Sequence, residues 1–190
     1  MKKQLIVCHG DSLTEGYDID LSQRWTDLLQ LSIDAQIINS GISGDTTAGM
    51  LARFKPMVID HAPSHVVIMG GTNDVSHRIP FDLIMSNIQT MTRQARHYGI
   101  ESVIGLPTPV FVQSDVLGDA EVLLMGEFAL QMQKFNERLK QFARADGWSV
   151  IDFGTGMHAD LFLNDGVHPN EAGQIVMMNN AKDVLVTRLQ

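Results

Sequence analysis

Five short runs of apolar residues recur along the chain, at positions 4–9, 36–39, 65–70, 102–106 and 149–153, and a longer segment separates each from the next. Most are solidly apolar instead of alternating, which is the pattern of strands with helices on both faces. Short apolar runs that alternate with helical segments predict βαβ units and a parallel sheet. The segments between them carry the helical period. Ile84, Ile88, Met91, Ala95 and Tyr98 repeat at helical spacing between Pro80 and Gly99, and Phe128, Met132, Phe135, Leu139 and Phe142 do the same. Further helices are expected over about 24–33, over 46–60 with an interruption at Pro56, and over 170–189. A long connection is expected over 107–127, with Val110, Phe111, Val112 and Leu117 as an apolar stretch within it.

With 190 residues and 44% of them apolar, the chain has enough material for one well-filled core, so a single domain over 1–190 is expected. The formal charge of -8, from 22 acidic and 14 basic residues, comes with no Lys/Arg cluster, which argues against a nucleic-acid partner. The apolar run after Met1-Lys2-Lys3 is four residues, short of the roughly 7–15 of a signal-peptide core. No stretch approaches the ~18 apolar residues of a membrane span, and a cytoplasmic location is expected. Cys8 is the only cysteine, so no intrachain disulfide can form, and its place inside an apolar run reads as core.

In an open parallel α/β sheet, ligands bind where loops converge at the carboxyl ends of the strands. The polar clusters of this chain fall there. "GDSLTEG" with Ser12 follows the first run, "NSGISGDTT" with Gly41 and Gly44 the second, and "GGTND" with Asn73 and Asp74 the third. "NDGVHP" with Asp165 and His168 precedes the last helix. A hydroxyl nucleophile needs a base within hydrogen-bond reach, and the base needs an orienting group. Ser12, His168 and Asp165 can fill those roles, with Gly166 permitting the turn and Pro169 stiffening the exit. Negative charge that develops on an attacked carbonyl oxygen needs donors already aimed at it. The Ser12 amide, a glycine amide of the second cluster and the Asn73 side chain can supply them. Plainer readings exist for each: Gly-Asp-Ser as a turn, Asn73 or Asp74 as a helix N-cap, Gly41 and Gly44 as turn glycines, His168 as a surface histidine.

These blocks, in this order, resemble the SGNH or GDSL hydrolase family, and the resemblance spans nearly the whole chain. It implies a three-layer α/β/α, flavodoxin-like fold with a five-stranded parallel sheet. It also implies hydrolysis of carboxylic esters or thioesters through an acyl-enzyme, with no cofactor and no metal. Ser12 is then the nucleophile, His168 the general base and acid, and Asp165 the group that orients His168. The oxyanion donors are the Ser12 amide, a glycine amide and Asn73. The stretch "ISGDTT" is most similar to that of small bacterial esterase, thioesterase and lysophospholipase members, which favours Gly44 over Gly41.

The expected partner is a small-molecule ester with a short acyl or aryl group, thioesters and lysophospholipids included. A deacetylase of acetylated carbohydrate is the alternative within the family, and a non-catalytic flavodoxin-like binding module the alternative outside it. The module reading lacks a phosphate-cradling loop after the first strand. A metal hydrolase built on His9, Asp11, Asp165 and His168 would leave Ser12 and Asn73 without roles. The apolar stretch within 107–127 is expected either near the site or against a second copy of the chain. His9, directly before the first motif, is expected to be a neutral histidine capping a strand end.

Overall fold

The computed structural model describes residues 4–112 and 118–189. Strands β1 (Gln4–Gly10), β2 (Ala35–Gly41), β3 (His65–Met69), β4 (Glu101–Leu106) and β5 (Ser149–Asp152) form one parallel sheet. Their order is β2-β1-β3-β4-β5, which is that of the flavodoxin-like folds. The helices are α1 (Ser12–Glu15), α2 (Trp25–Ser32), α3 (Thr47–Ala52), α4 (Phe54–Met57), α5 (Thr72–Ser76), α6 (Phe81–His97), α7 (Asp119–Asp146) and α8 (Glu171–Arg188). Short 3₁₀ turns occur at Leu21–Gln23, Ile59–His61 and Ala159–Leu161.

The solid apolar runs follow from burial on both sheet faces. Successive strand side chains point to opposite faces. Val7, Val66, Ile68 and Ile104 pack with Met50, Phe54, Ile84, Met91, Phe135 and Leu139, so α3, α4, α6 and α7 cover one face. Ile6, Cys8, Val67, Val103 and Ile151 pack with Trp25, Leu29, Met177, Ala181 and Leu185, so α2 and α8 cover the other. Cys8 is fully buried, and burial pushes its thiol above the ordinary range, which leaves no reactive thiolate. No helix among the described residues is long and apolar enough to cross a membrane.

Two features of the fold set up the strand ends. Gly10 pairs with Gly41 on one side and Met69 on the other, so β1, β2 and β3 finish level and the loops after them meet. Trp25 fastens the first of these loops to the last helix. Its indole N–H donates to the Leu13 carbonyl at 3.0 Å, and its amide donates to Oε1 of buried Gln174 at 3.0 Å.

Some boundaries differ from expectation. The helix expected over 46–60 breaks at Arg53 and not at Pro56, which lies within the first turn of α4, where a missing N–H costs no helical bond. Helix α7 begins at Asp119, which shortens the connection expected over 107–127 to residues 107–118. Glu121 accepts the Gly118 amide at 3.0 Å at its start, and Leu123 and Leu124 are exposed there, while Met125 already packs toward the core. Val110 is core and not part of a surface loop. Phe111 packs on Phe162 with ring centres 5.0 Å apart and donates its amide to the Gly166 carbonyl at 2.8 Å. Leu117 lies outside the described residues.

Candidate active site

Helix α1 starts directly from β1, with Asp11 as its N-cap accepting the Leu13 amide at 3.0 Å. This lifts Ser12 onto the first turn, where its own amide meets no acceptor among the described residues. The Ser12 Oγ lies 2.9 Å from Nε2 of His168. The His168 Nδ1 in turn lies 2.6 Å from Oδ2 of Asp165.

The loop between β5 and α8 places both partners. The other carboxylate oxygen of Asp165 accepts the amides of Val167 at 2.8 Å and His168 at 3.0 Å, which closes a tight turn around its own side chain. A pairing of Phe162 with Pro169 and a bond from the Leu163 amide to the His168 carbonyl at 2.8 Å fix the base of this loop. Burial raises the Asp165 carboxyl, but the bonds from the His168 ring and the two amides outweigh it and take the group down to about 2. A carboxylate facing Nδ1 demands a proton there, so Nε2 offers its lone pair to the Ser12 hydroxyl. Tyr17, half exposed, lays its ring over His168 with centres 4.5 Å apart.

The loop after β2 presents two glycines in different states. The Gly41 amide donates to Asn39 Oδ1 at 2.9 Å, and a Cβ at Gly41 would sit 2.2 Å from the Glu15 backbone nitrogen. Gly44 has φ +78°, a conformation that glycine adopts without strain, and a Cβ there would meet nothing within 4 Å. Its amide has no acceptor among the described residues. Asn73 sits in the first turn of α5. Its Nδ2 donates to the Asp45 carbonyl at 2.8 Å, which uses one of the two amide hydrogens and leaves the other unused. Neither Asn73 nor Asp74 caps α5, because Gly71 holds that position. Asp74 instead accepts the Thr47 amide at 2.9 Å and the Thr47 hydroxyl at 2.6 Å, tying α5 to α3.

His9 faces away from this site. Its Nε2 meets the Met50 carbonyl and its Nδ1 the Ser40 hydroxyl, each at 3.0 Å, and its ring packs edge-on against Phe54. Burial first, then the Arg53 charge, lower it to about 4, so it is a neutral strand-end histidine. It does not join Asp165 and His168, and no group of three or more His, Cys, Asp or Glu among the described residues is arranged to hold a metal ion.

Asp11 is fully buried, and its Oδ2 has no partner among the described residues. Burial pushes its carboxyl from 3.8 up to about 7, against the Leu13 amide and the His168 charge, with Asp74 and Asp45 adding to the rise. Between about pH 4 and 7 the folded chain therefore keeps a proton that the unfolded chain releases. The stability this group contributes is complete below its unfolded pKa and is lost as pH rises through the folded one. Asp11→Asn, which retains the oxygen bonded to Leu13, is expected to be more stable relative to the wild type at pH 8 than at pH 4.5. Urea midpoints at the two pH values check this; a constant difference would assign Asp11 its proton at the same pH in both states.

Sequence reading proposed Ser12, Gly44, Asn73, Asp165 and His168; the structure joins Ser12 to His168 and His168 to Asp165, and ties Asn73 to Asp45, the residue after Gly44. It passed over Tyr17, Glu15, Asp45 and Arg53. Glu15 lies within the quoted "GDSLTEG" block, yet nothing in the sequence shows that its carboxylate accepts the Ser43 amide at 2.6 Å and bonds the Ser43 hydroxyl.

The sequence model of the GDSL-like lipase/acylhydrolase family matches residues 8–175. Among curated proteins the chain is similar to the esterase TesA of Pseudomonas aeruginosa, 28% identical over 93% of this chain and 85% of that one. It is also similar to an arylesterase of Vibrio mimicus, 35% identical over half of each chain. Among solved structures, a member of the lipolytic protein G-D-S-L family from Veillonella parvula superposes with a TM-score of 0.79 at 28% identity, covering 96% of this chain and 98% of that one.

Proposed function

Because the chain belongs to the GDSL-like lipase/acylhydrolase family, we propose that it hydrolyses carboxylic esters through a serine acyl-enzyme. The observation that carries this is the unbroken relay from Asp165 through His168 to Ser12, with contacts of 2.6 and 2.9 Å. In this reading Ser12 Oγ attacks the ester carbonyl while His168 Nε2 takes its proton. The His168 proton then passes to the leaving alcohol as the C–O bond breaks, leaving an acylated Ser12. A water molecule, deprotonated by the same nitrogen, attacks the acyl carbonyl, and the proton returns to Ser12 as the acid departs. Asp165 keeps Nδ1 protonated and steadies the imidazolium in both halves. The tetrahedral oxyanion takes hydrogen bonds from the Ser12 and Gly44 amides and the second Asn73 hydrogen. None of these steps calls on a cofactor or a metal.

Two features favour short acyl or aryl esters. The Tyr17 ring stands half exposed against His168, where it can flank an apolar or aromatic substituent. Gly44 lies exposed on its loop, and a side chain there would meet nothing within 4 Å, so the loop adds no wall beside it. A panel of p-nitrophenyl esters from acetate to decanoate is expected to show the highest kcat/KM at the short end. Butyryl thioester, lysophosphatidylcholine and acetylated xylo-oligosaccharide extend the panel to the other substrates of the class. Absence of turnover on every member would remove the hydrolase reading; preference for the acetylated sugar would narrow it to deacetylation.

A further inference from the structure

Arg53 lies at the junction of α3 and α4, outside every motif, yet its guanidinium reaches the ends of β1 and β2 and the loop that bears Gly44. Its Nε donates to Asp45 Oδ2 at 2.6 Å, and the pair is mostly shielded from solvent. One terminal nitrogen donates to the Gly10 carbonyl at 2.7 Å, and the other to the Ser40 carbonyl at 2.9 Å. Gly10 leads β1 into Ser12, and Ser40 leads β2 toward Gly44. The second terminal nitrogen also lies 3.3 Å from His9 Nδ1 and from the Ser40 hydroxyl, so a neutral His9 serves as its acceptor. Only a planar fork with five donors can serve this set at once; a lysine ammonium has three on one atom.

Asp45 is where this clamp meets the chemistry. Its carbonyl receives the Asn73 side chain, and its peptide nitrogen is joined to Gly44. The rest of the loop is pinned by the Ile42 amide, which donates to the Gly10 carbonyl at 3.1 Å, and by the Ser43 amide on Glu15. The Gly10 carbonyl thus accepts from Ile42 and Arg53 together. We infer that Arg53 is a positioning residue: through Asp45, Gly10 and Ser40 it holds the Gly44 amide and the Asn73 side chain where the transition-state oxyanion forms. The inference rests on the proposed ester hydrolysis, and it assigns a task to a side chain that never touches substrate.

A displaced donor loses transition-state stabilisation while ground-state binding persists, so the effect belongs in kcat. Arg53→Lys is expected to lower kcat for p-nitrophenyl butyrate by roughly 10- to 100-fold, the scale of an ångström-sized misplacement. KM should stay within about threefold, and a boronic acid analogue of the tetrahedral state should weaken in proportion to kcat. Asp45→Asn keeps the carbonyl and the side-chain size, and should move kcat in the same direction with little change in Tm. Asn73→Ala alone should cost about 10²–10³ in kcat. Combined with Arg53→Lys it should cost less than the product of the two, because part of the arginine's effect runs through Asn73.

The inference is overturned if Arg53→Lys and Asp45→Asn both keep kcat within threefold of wild type. It is equally overturned if kcat falls only with Tm while analogue affinity holds, or if the losses with Asn73→Ala simply multiply. Ser12→Ala run alongside separates the two levels. Full activity in that variant removes the acyl-enzyme reading and the inference with it, whereas an inactive Ser12→Ala beside a normal Arg53→Lys removes the inference alone.

Discussion

Ser12→Ala is expected to lower kcat for p-nitrophenyl butyrate by about 10⁴- to 10⁶-fold, which is the scale on which serine hydrolases lose rate with their nucleophile. The methyl group cannot attack, and His168 Nε2, now 2.9 Å from no hydroxyl, has only water to activate. What remains is the rate that the donors give to water attack. The substitution deletes one oxygen from a side chain whose only hydrogen-bond partner among the described residues is His168, so folding should be unaffected. A fluorophosphonate should label the wild type at one site per chain and leave the variant unlabelled, with the mass shift on the peptide bearing Ser12. Retention of more than about 1% of kcat would exclude a serine acyl-enzyme, since members of a triad act as one unit. For the same reason His168→Ala should match Ser12→Ala, and the double variant should be no worse than either.

Asp165→Asn should cost about 10⁴-fold in kcat while leaving the loop intact. The residue has two separable duties. One oxygen accepts the Val167 and His168 amides, which a side-chain amide oxygen can also do. The other accepts from His168 Nδ1, where the amide would present N–H. Two donors cannot face each other, so the imidazole moves its proton to Nε2 and meets Ser12 with a donor where it needs an acceptor. The wild-type carboxyl, held at about 2, stays ionised at neutral and mildly acid pH, whereas the amide of the variant carries no charge at any pH, so lowering the pH should not restore activity. Circular dichroism and kcat measured together check it. A loss below tenfold would mean that the loop, and not the carboxylate charge, orients His168.

How much was legible depended on how each feature is made. The five strands were plain in the sequence because burial on both faces demands unbroken apolar residues such as those at 66–69. The candidate site was readable where side chains of distinctive type stand within two residues of a glycine, as at Ser12, Asn73 and Asp165. Helices α1 and α5 were missed because four or five residues cannot display a period. The first turns of α7 were missed because Leu123 and Leu124 face outward. Arg53 was invisible for a different reason. Its partners include the backbone carbonyls of Gly10 and Ser40, which any residue can supply, and they lie 43 and 13 positions away. The resemblance to a known family carried the choice of Gly44 over Gly41. The structure adds a physical distinction, since the Gly41 amide is already spent on Asn39.

The Ser12–His168 hydrogen bond joins groups 156 residues apart in sequence. The groups proposed as oxyanion donors all lie within the first 73 residues, while the base arrives on the loop just before the last helix. A long closure carries an entropic cost that contacts elsewhere must offset, and here Trp25 with Gln174 and the α2–α8 packing provide them. In the proposed reading the site is complete only where the loop before α8 brings His168 to Ser12, so the two ends of the chain share one catalytic surface.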